Sequence, residues 1–392
     1  MIFLLIADSF SPLSNSAAIL IEDLVSEFEK NKIETILITP NNSIFKKTRL
    51  HALGLRKVLR VRSFNTKSQS LLHRAFSEII NPFFIILAIY QKKIFYYDGI
   101  IWYSPSIFFG VVIHFLKFKK NVKSYLILRD IFPQWALDLR VLNKNLVYYL
   151  FKWFEGFQYN LADKIGIQSD SNIDYFKKNY PMHLSKIEVL ENWMRQRSPV
   201  RTTIYLKNSK IRGRFIFVYA GNFGMSQKIE QLLCLASVFE EYKNIGFLFI
   251  GSGSEFERIE KAICNNPSSN ILMLNSVPSQ ELISVYNQCD VGLITLNLDH
   301  STHNIPGKFI SYLLSGLPVV ALANQGNDLI KIINKNNLGI AFSTQKMKLI
   351  KGNVLKFIYS LNKDQAAVKC VHFAKKNYSP QKAATQLINF FK

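Results

Sequence analysis

Acidic residues are scarce in this 392-residue chain. It carries 27 Asp and Glu against 49 Lys and Arg, a formal net charge of +22. A balance this basic attracts polyanions: nucleic acid, anionic lipid or a diphosphate. Cysteine is also scarce. The four cysteines (Cys234, Cys264, Cys289, Cys370) stand far apart, with no Cys-x-x-Cys or Cys/His spacing. That excludes a disulfide framework and a zinc site, and the four read as reduced core residues of a cytosolic protein. Long apolar runs are missing. None reaches the roughly 18 residues of a spanning helix. The nearest, Pro82 to Tyr90, gives way to Gln91-Lys92-Lys93. The expectation is a chain that does not cross a membrane but can lie on one. Its start, Met1 to Asp8, lacks the basic flank of a signal peptide and reads as a first buried strand.

Several catalytic signatures are missing as well. No Gly-x-Ser-x-Gly elbow supports a hydrolase triad. Ala220-Gly221-Asn222-Phe223-Gly224-Met225-Ser226-Gln227-Lys228 lacks the Gly-Lys-Ser/Thr ending of a Walker A loop. Gly251-Ser252-Gly253 lacks the third glycine and the later carboxylate of an NAD fingerprint, and reads as a tight strand–helix turn. Asp299-His300 has no partner carboxylate at metal-binding spacing, so no metal site is expected.

What is present is a repeated alternation. Strand patterns at Ile2–Ala7, Ile33–Ile38, Gly99–Tyr103, Ser124–Leu128, Lys164–Gln168 and Ile187–Leu190 alternate with helical ones such as Ala17–Lys30 and Leu146–Leu161. After a basic, weakly patterned stretch the alternation restarts at Phe215–Tyr219 and runs through Val319–Leu322 to a tail helix near Ala383–Phe391. This predicts an α/β fold with two Rossmann-like doubly wound parallel-sheet domains facing a cleft. The expected bounds are 1–195, a linker over 196–213, a second domain over 214–378, and a C-terminal helix over 379–392 packing back on the first domain. In open parallel sheets the ligand sits at the carboxyl ends of the strands. The loops after strands therefore matter most: Arg129 to Pro133, Gly221 to Lys228, Asn275 to Pro278 (which holds Val277) and Asn297 to Lys308.

Four features in those loops carry chemistry. The stretch Pro306-Gly307-Lys308 opens a short helix that Gly316 stops in the left-handed conformation and Pro318 prevents from continuing. Backbone N–H groups at that start, with Lys308 beside them, suit a phosphate. The plain alternative is an ordinary loop–helix–strand unit. Gly221 and Gly224 let backbone approach a ligand, and Lys228 is expected in the first helical turns beside a diphosphate. Asp130 follows a strand, where a carboxylate can bind a sugar hydroxyl or take a proton; a helix cap or an ion pair with Arg129 is the alternative. His300 and His303 lie in the loop before Pro306, as cleft or surface residues.

One block of charge stands apart. Between Glu34 and Glu78 there is no acidic residue, while Lys46, Lys47, Arg49, Arg56, Lys57, Arg60, Arg62, Lys67 and Arg74 all fall there. Phe45, Leu50, Leu53, Leu55, Val58, Leu59 and Val61 interleave with them, which favours an anionic membrane surface over nucleic acid. A solvated loop is the plain alternative.

Taken together, these residues resemble the family 4 glycosyltransferases of the GT-B fold. The likeness is greatest to the branch that builds bacterial O-antigen and capsule repeat units, including N-acetylfucosaminyltransferase-like enzymes. Arg129-Asp130-Ile131-Phe132-Pro133 resembles that branch's Arg-Asp-Leu-Trp-Pro, and Leu190-Glu191-Asn192-Trp193 its Leu-Pro-Asn-Trp. Ala162-Asp163 with Gln168-Ser169 resembles its alanine–aspartate strand entry and following serine. Tyr219-Ala220-Gly221-Asn222 and Pro306-Gly307-Lys308 with Gly316-Leu317-Pro318-Val319 resemble its Gly-Asn and Pro-x-Lys…Gly-x-Pro-Val.

The resemblance implies a retaining transferase. Its second half would bind a nucleotide-sugar donor, UDP-linked, and its first half a polyprenyl-diphosphate-linked acceptor, at the cytoplasmic face of the membrane and with no metal or other cofactor. The implied donor set is Gly221, Asn222, Lys228, Val277, Pro306, Gly307, Lys308 and Ser311. Asp130, His303, Lys228 and Lys308 are the implied catalytic groups. Asn222 stands where many relatives have Arg, and His303 and Ser311 stand where they have a Glu-x7-Glu pair. The rival readings are a UDP-sugar 2-epimerase of the same fold and a non-catalytic, membrane-associated relative lacking the Glu pair. A polyanion-binding protein is a third, carried by charge alone.

Overall fold

The computed structural model describes residues 1–12, 15–66, 71–265 and 267–392, with side chains of 71, 72, 74 and 75 excepted. It separates into two compact units, 1–192 with 380–392, and 193–379.

The first unit is an eight-stranded sheet with helices on its faces. Its elements are β1 (Ile2–Ile6), α1 (Ser16–Lys30), β2 (Glu34–Pro40), β3 (Arg49–Leu53), β4 (Arg56–Val61), α2 (Leu71–Gln91), β5 (Gly99–Tyr103), α3 (Phe109–Lys119), β6 (Ser124–Ile127), α4 (Gln134–Asp138), α5 (Leu146–Leu161), β7 (Lys164–Ile167), α6 (Ile173–Asn179) and β8 (Ile187–Val189). The strand order is β3-β4-β2-β1-β5-β6-β7-β8, parallel except for the β3–β4 hairpin. Order reverses between β1 and β5, the switch point where open sheets hold ligands. Side chains cap α1, which follows β1, and α5, which precedes β7. Asn15 Oδ1 accepts from Ala18 N at 2.9 Å, and Asn145 Oδ1 from Tyr148 N at 3.2 Å.

The basic block takes an unexpected form. Its 49–61 stretch is the β3–β4 hairpin, and topology supplies the acids that the local sequence lacks. Arg56 pairs with Glu22 at 2.6 Å and with Glu29, both on α1, and Lys57 pairs with Glu34. Lys46, Lys47 and Arg49 remain exposed. Lys67 and the side chain of Arg74 lie outside the described residues.

The second unit is a six-stranded, wholly parallel sheet of order β11-β10-β9-β12-β13-β14. Its elements are β9 (Phe215–Asn222), α7 (Glu230–Ser237), β10 (Ile245–Ser252), α8 (Phe256–Asn265), β11 (Ile271–Asn275), α9 (Ser279–Tyr286), β12 (Val291–Thr295), α10 (Gly307–Leu314), β13 (Val319–Leu322), α11 (Asp328–Lys335), β14 (Gly339–Phe342), α12 (Met347–Ser360) and α13 (Lys363–Asn377). The 196–213 stretch, expected as a linker, is bound into this unit. Leu206 and Ile211 are buried in its core, and Glu281 accepts from Thr202 and Thr203. The last helix, α14 (Pro380–Phe391), belongs to the first unit and packs on α1. Phe391 stacks near Phe3 at 4.7 Å and covers Gly99, where any Cβ would strike its ring.

The cysteines are not all core residues. Cys370 is buried, but Cys234 and Cys264 are exposed. Helix α7 buries Gln231, Leu232, Leu235 and Ala236, which turns Cys234 outward. Among the described residues, no helix is long and apolar enough to cross a membrane.

Candidate functional site

In the second unit, strand order reverses between β9 and β12. These strands pair over only two positions, Phe217 with Val291 and Val218 with Gly292, and then part. The fork is held by α10. Gly292 leaves room for the Tyr312 ring, which any Cβ there would strike. The Tyr312 hydroxyl then accepts from Ala220 N at 2.9 Å, replacing the strand partner that the fork removes. Helix α10 ends as its sequence requires. Gly316 has φ +78°, with Gly316 N donating to Leu313 O at 3.0 Å and Leu317 N to Tyr312 O at 2.9 Å, a Schellman stop.

Lys308 enters this fork from the first turn of α10. Its ammonium lies 3.7 Å from the centroid of the Tyr219 ring and donates to Gln227 Oε1 at 3.4 Å. A Cβ at Gly221 would lie in ordinary contact with that ammonium, at 3.4 Å; glycine is needed there because φ is +136°, a conformation strained for L side chains. The residue keeps some surface, but its ammonium is folded inward and enclosed. Desolvation lowers its pKa from 10.5 to about 7. Among the described residues, no carboxylate pairs with it. A cation held over an aromatic face, beside glycine backbone and a helix N-terminus, is an arrangement that can receive an anion.

The rest of the predicted donor set lies in the second unit, and its local structure differs from expectation. Lys228 is not in a helical turn. It follows a short 3-10 turn in the left-handed conformation (φ +46°), because the chain reverses there before α7 starts at Glu230. Its ammonium lies 3.9 Å from Asp299, in the loop ahead of α10. Asn297 N donates to Ser226 O at 2.9 Å and joins the two loops. Asn222 is tucked against Gly224 and Gly253, whose Cβ atoms would lie 2.7 Å and 2.6 Å from its amide. The Gly251-x-Gly253 pair thus serves backbone packing against β9.

His303 Nδ1 is 3.1 Å from Asn324 Nδ2, which donates to it and leaves the proton on Nε2. Asn324 is itself held by Asn327 at 2.9 Å. Ser311 hydrogen-bonds the buried Tyr286 hydroxyl. Pro306 is the N-cap of α10 and Gly307 its first residue. Val277 packs half-buried against the core in the loop after β11.

Tyr219, Gln227, Asp299 and Asn324 complete the site. Their local sequence does not reveal these contacts, since each is recruited by the fork or by the 296–306 loop.

Asp130 belongs to the first unit, directly after Arg129 and three residues beyond the end of β6. It does not cap α4, whose N-cap is Pro133. Arg129 is buried and donates to Leu190 O at 2.6 Å, and burial lowers its pKa to about 10. Asp8, Arg129 and Asp130 all act electrostatically on the buried Tyr103 hydroxyl, whose pKa is raised chiefly by desolvation. These groups share the carboxyl ends of β1, β5 and β6.

Residues 214–352 match the family described as glycosyl transferases group 1. A curated relative, the Probable glycosyltransferase WbjE of Pseudomonas aeruginosa, is 22% identical over 229 residues, which span 57% of this chain and 57% of that protein. Among solved structures, sucrose-phosphate synthase from Thermosynechococcus elongatus matches with TM-score 0.78 at 13% identity, covering 100% of this chain and 98% of that one. The E. coli trehalose-6-phosphate structure bound with UDP-2-fluoro glucose matches with TM-score 0.74 at 11% identity, over 100% and 99% of the chains. Anabaena HepE in complex with UDP matches with TM-score 0.68 at 12% identity, over 100% and 99%. The fold is the GT-B type, two parallel doubly wound sheets. Residues 214–352 are a group 1 glycosyltransferase domain, and the Lys308 fork lies inside it.

Proposed function

We propose that the chain uses this domain to move a sugar from a UDP-sugar to an acceptor carried on a lipid diphosphate. Transfer would retain the anomeric configuration and serve assembly of a bacterial O-antigen or capsule polysaccharide at the inner membrane face. The transferred group would be a hexose or an N-acetylhexosamine. The carrying observation is the Lys308 ammonium at the β9–β12 fork, held against Tyr219 and Gly221. UDP and a UDP-sugar in two structural neighbours support the donor class.

In this reading the bond between the sugar and the diphosphate breaks as the acceptor hydroxyl oxygen bonds the anomeric carbon and passes its proton to the leaving diphosphate. Negative charge grows on the leaving diphosphate. Lys308, Lys228 and the N-terminus of α10 meet it, a preorganised arrangement that costs no reorganisation during the reaction. Ser311 and Val277 would line the nucleoside, with Gly221, Asn222, Pro306 and Gly307 supplying backbone close to the phosphates. His303, with its Nε2 proton, and Asp130 would orient the sugar. No divalent ion is required by this scheme, so turnover should survive a chelator. The acceptor class rests on the apolar and basic surface of the first unit. The test is transfer of radiolabelled sugar from UDP-sugars to a lipid-diphosphate-linked acceptor and to a soluble sugar phosphate. Transfer to the soluble acceptor alone would replace the lipid-linked part of the reading.

A further inference from the structure

Helices α2, α3 and α5 form one layer of the first unit, with α3 packed between the other two. Each returns a parallel strand, so each starts at the sheet's carboxyl end. Helix α2 exposes Phe76, Ile79, Phe83, Leu87 and Tyr90, 38% to 63% of each. Their spacing of three and four residues makes one continuous stripe, while Ile85, Ala88 and Ile89 fill the core behind it. Helix α5 repeats the pattern. Leu146, Tyr149, Leu150 and Trp153 are exposed at 84%, 55%, 48% and 60%, opposite the buried Tyr148, Glu155 and Tyr159. Scattered exposed apolar residues are ordinary, but two stripes on one layer are not.

Positive charges outnumber negative ones around the stripes. Residues 71–161 hold 11 Lys and Arg but five Asp and Glu. Of the five, Glu155 is buried under Tyr175, Tyr180 and Lys152, and Glu78 is half-buried. Arg140 and Lys144 are exposed just ahead of α5. At the same carboxyl end, the loop after β2 presents Phe45, 91% exposed, beside Lys46 and Lys47. Aromatic and branched apolar side chains flanked by Lys and Arg suit the interface of an anionic bilayer, where rings lie at headgroup depth and cations meet lipid phosphates. A second copy is a poorer occupant. The whole unit carries 27 Lys and Arg against 16 Asp and Glu, so two copies would bring like charge together.

We propose that the outer face of the α2–α3–α5 layer, at its end nearest the strands' carboxyl termini, is a docking surface for an anionic phospholipid bilayer, with Phe45, Phe76, Leu146 and Trp153 as its inserted side chains. Docking there brings the lipid surface to the end of the sheet that carries Asp8 and Asp130. The inference rests on the lipid-linked acceptor reading for its purpose alone, and docking is measured without donor or acceptor.

The experiment is sedimentation of the full chain with phosphatidylglycerol–phosphatidylcholine vesicles, with phosphatidylcholine vesicles, and with a DNA duplex. Trp153 supplies a second readout. Of the four tryptophans, Trp102 and Trp193 are fully buried and Trp135 is half-buried, so Trp153 is the one placed to be quenched by bromine on lipid tails. The wild type should partition onto the anionic vesicles, with its fluorescence quenched. The triple variant Phe76→Ser, Leu146→Ser, Trp153→Ser should partition roughly tenfold or more weakly, given the apolar area it removes. Its circular dichroism and cooperative thermal unfolding should match those of the wild type, which verifies that the first unit still folds. Equal partitioning of variant and wild type, an unquenched Trp153, or tighter binding to duplex than to vesicles would overturn the proposal. So would a dimer in ultracentrifugation that the triple variant abolishes, since the face would then belong to a second copy. Loss of sugar transfer with docking intact would strike the acceptor reading and leave the docking surface standing.

Discussion

The Lys308 ammonium rests 3.7 Å from the centre of the Tyr219 ring, with the φ +136° backbone of Gly221 beside it. This relationship joins the start of α10 to the end of β9 across the strand fork. It holds a cation ready, without a carboxylate partner among the described residues.

The first prediction concerns pH. Burial lowers the Lys308 pKa from 10.5 to about 7, so in the free protein the side chain is charged below neutrality and loses its proton above it. A diphosphate needs the charged form, and its binding draws a proton onto Lys308. UDP affinity should therefore hold below pH 7 and fall as pH rises from 7 to 9, by up to about tenfold per unit. Calorimetry in buffers of different ionisation heat reads the affinity and the proton uptake together. In Lys308→Met the affinity should be weaker, and this pH-linked fall should vanish.

Gly221→Ala tests the close approach. An L-residue at φ +136° is strained, while the added methyl would only touch the ammonium, at 3.4 Å. Stability should fall by roughly 1–2 kcal/mol, with UDP affinity falling more than stability alone explains. Denaturant unfolding and UDP titration separate the two.

Tyr312→Phe removes the hydroxyl that accepts from Ala220 N at 2.9 Å. A buried N–H then lacks its partner, which should cost about 1–3 kcal/mol and loosen the β9–β12 fork. Hydrogen exchange at Ala220 should speed up in the variant; unchanged exchange would mean that the fork is held by other contacts.

Glu155→Ala addresses the first unit alone. Glu155 is fully buried and gathers hydrogen bonds from Tyr175 at 2.7 Å and Tyr180 at 2.7 Å, with Lys152 at 2.6 Å. Its loss leaves a cation without its ion-pair partner and should destabilise this unit by about 3–5 kcal/mol. The proposed donor site lies in the second unit, so UDP binding should not change.

Much of the fold was legible because periodicity reports burial. The apolar runs at Ile2–Ile6, Gly99–Tyr103 and Val319–Leu322 are buried strands, and α5 spans Leu146–Leu161 as its pattern requires. The stop at Gly316 was legible too, since glycine ahead of proline has few other uses there. The hairpin of β3 and β4 was not. Its alternation is masked by basic residues whose acidic partners, Glu22 and Glu29, come from α1. The site divides in the same way. Lys308 and Gly221 announce themselves by residue type and position. Tyr219 and Gln227 become partners of Lys308 only when β9 and β12 part, a long-range event with no local mark. The left-handed turn at Lys228 was hidden because lysine does not signal positive φ.

The most direct test of the central claim is Lys308→Ala. UDP binding and sugar transfer should be measured together, with thermal unfolding as the check on folding. The variant should fold, and its turnover should fall on the order of 10²-fold, because a group proposed to meet the leaving diphosphate is gone. A folded variant with near-native UDP affinity and turnover would contradict it.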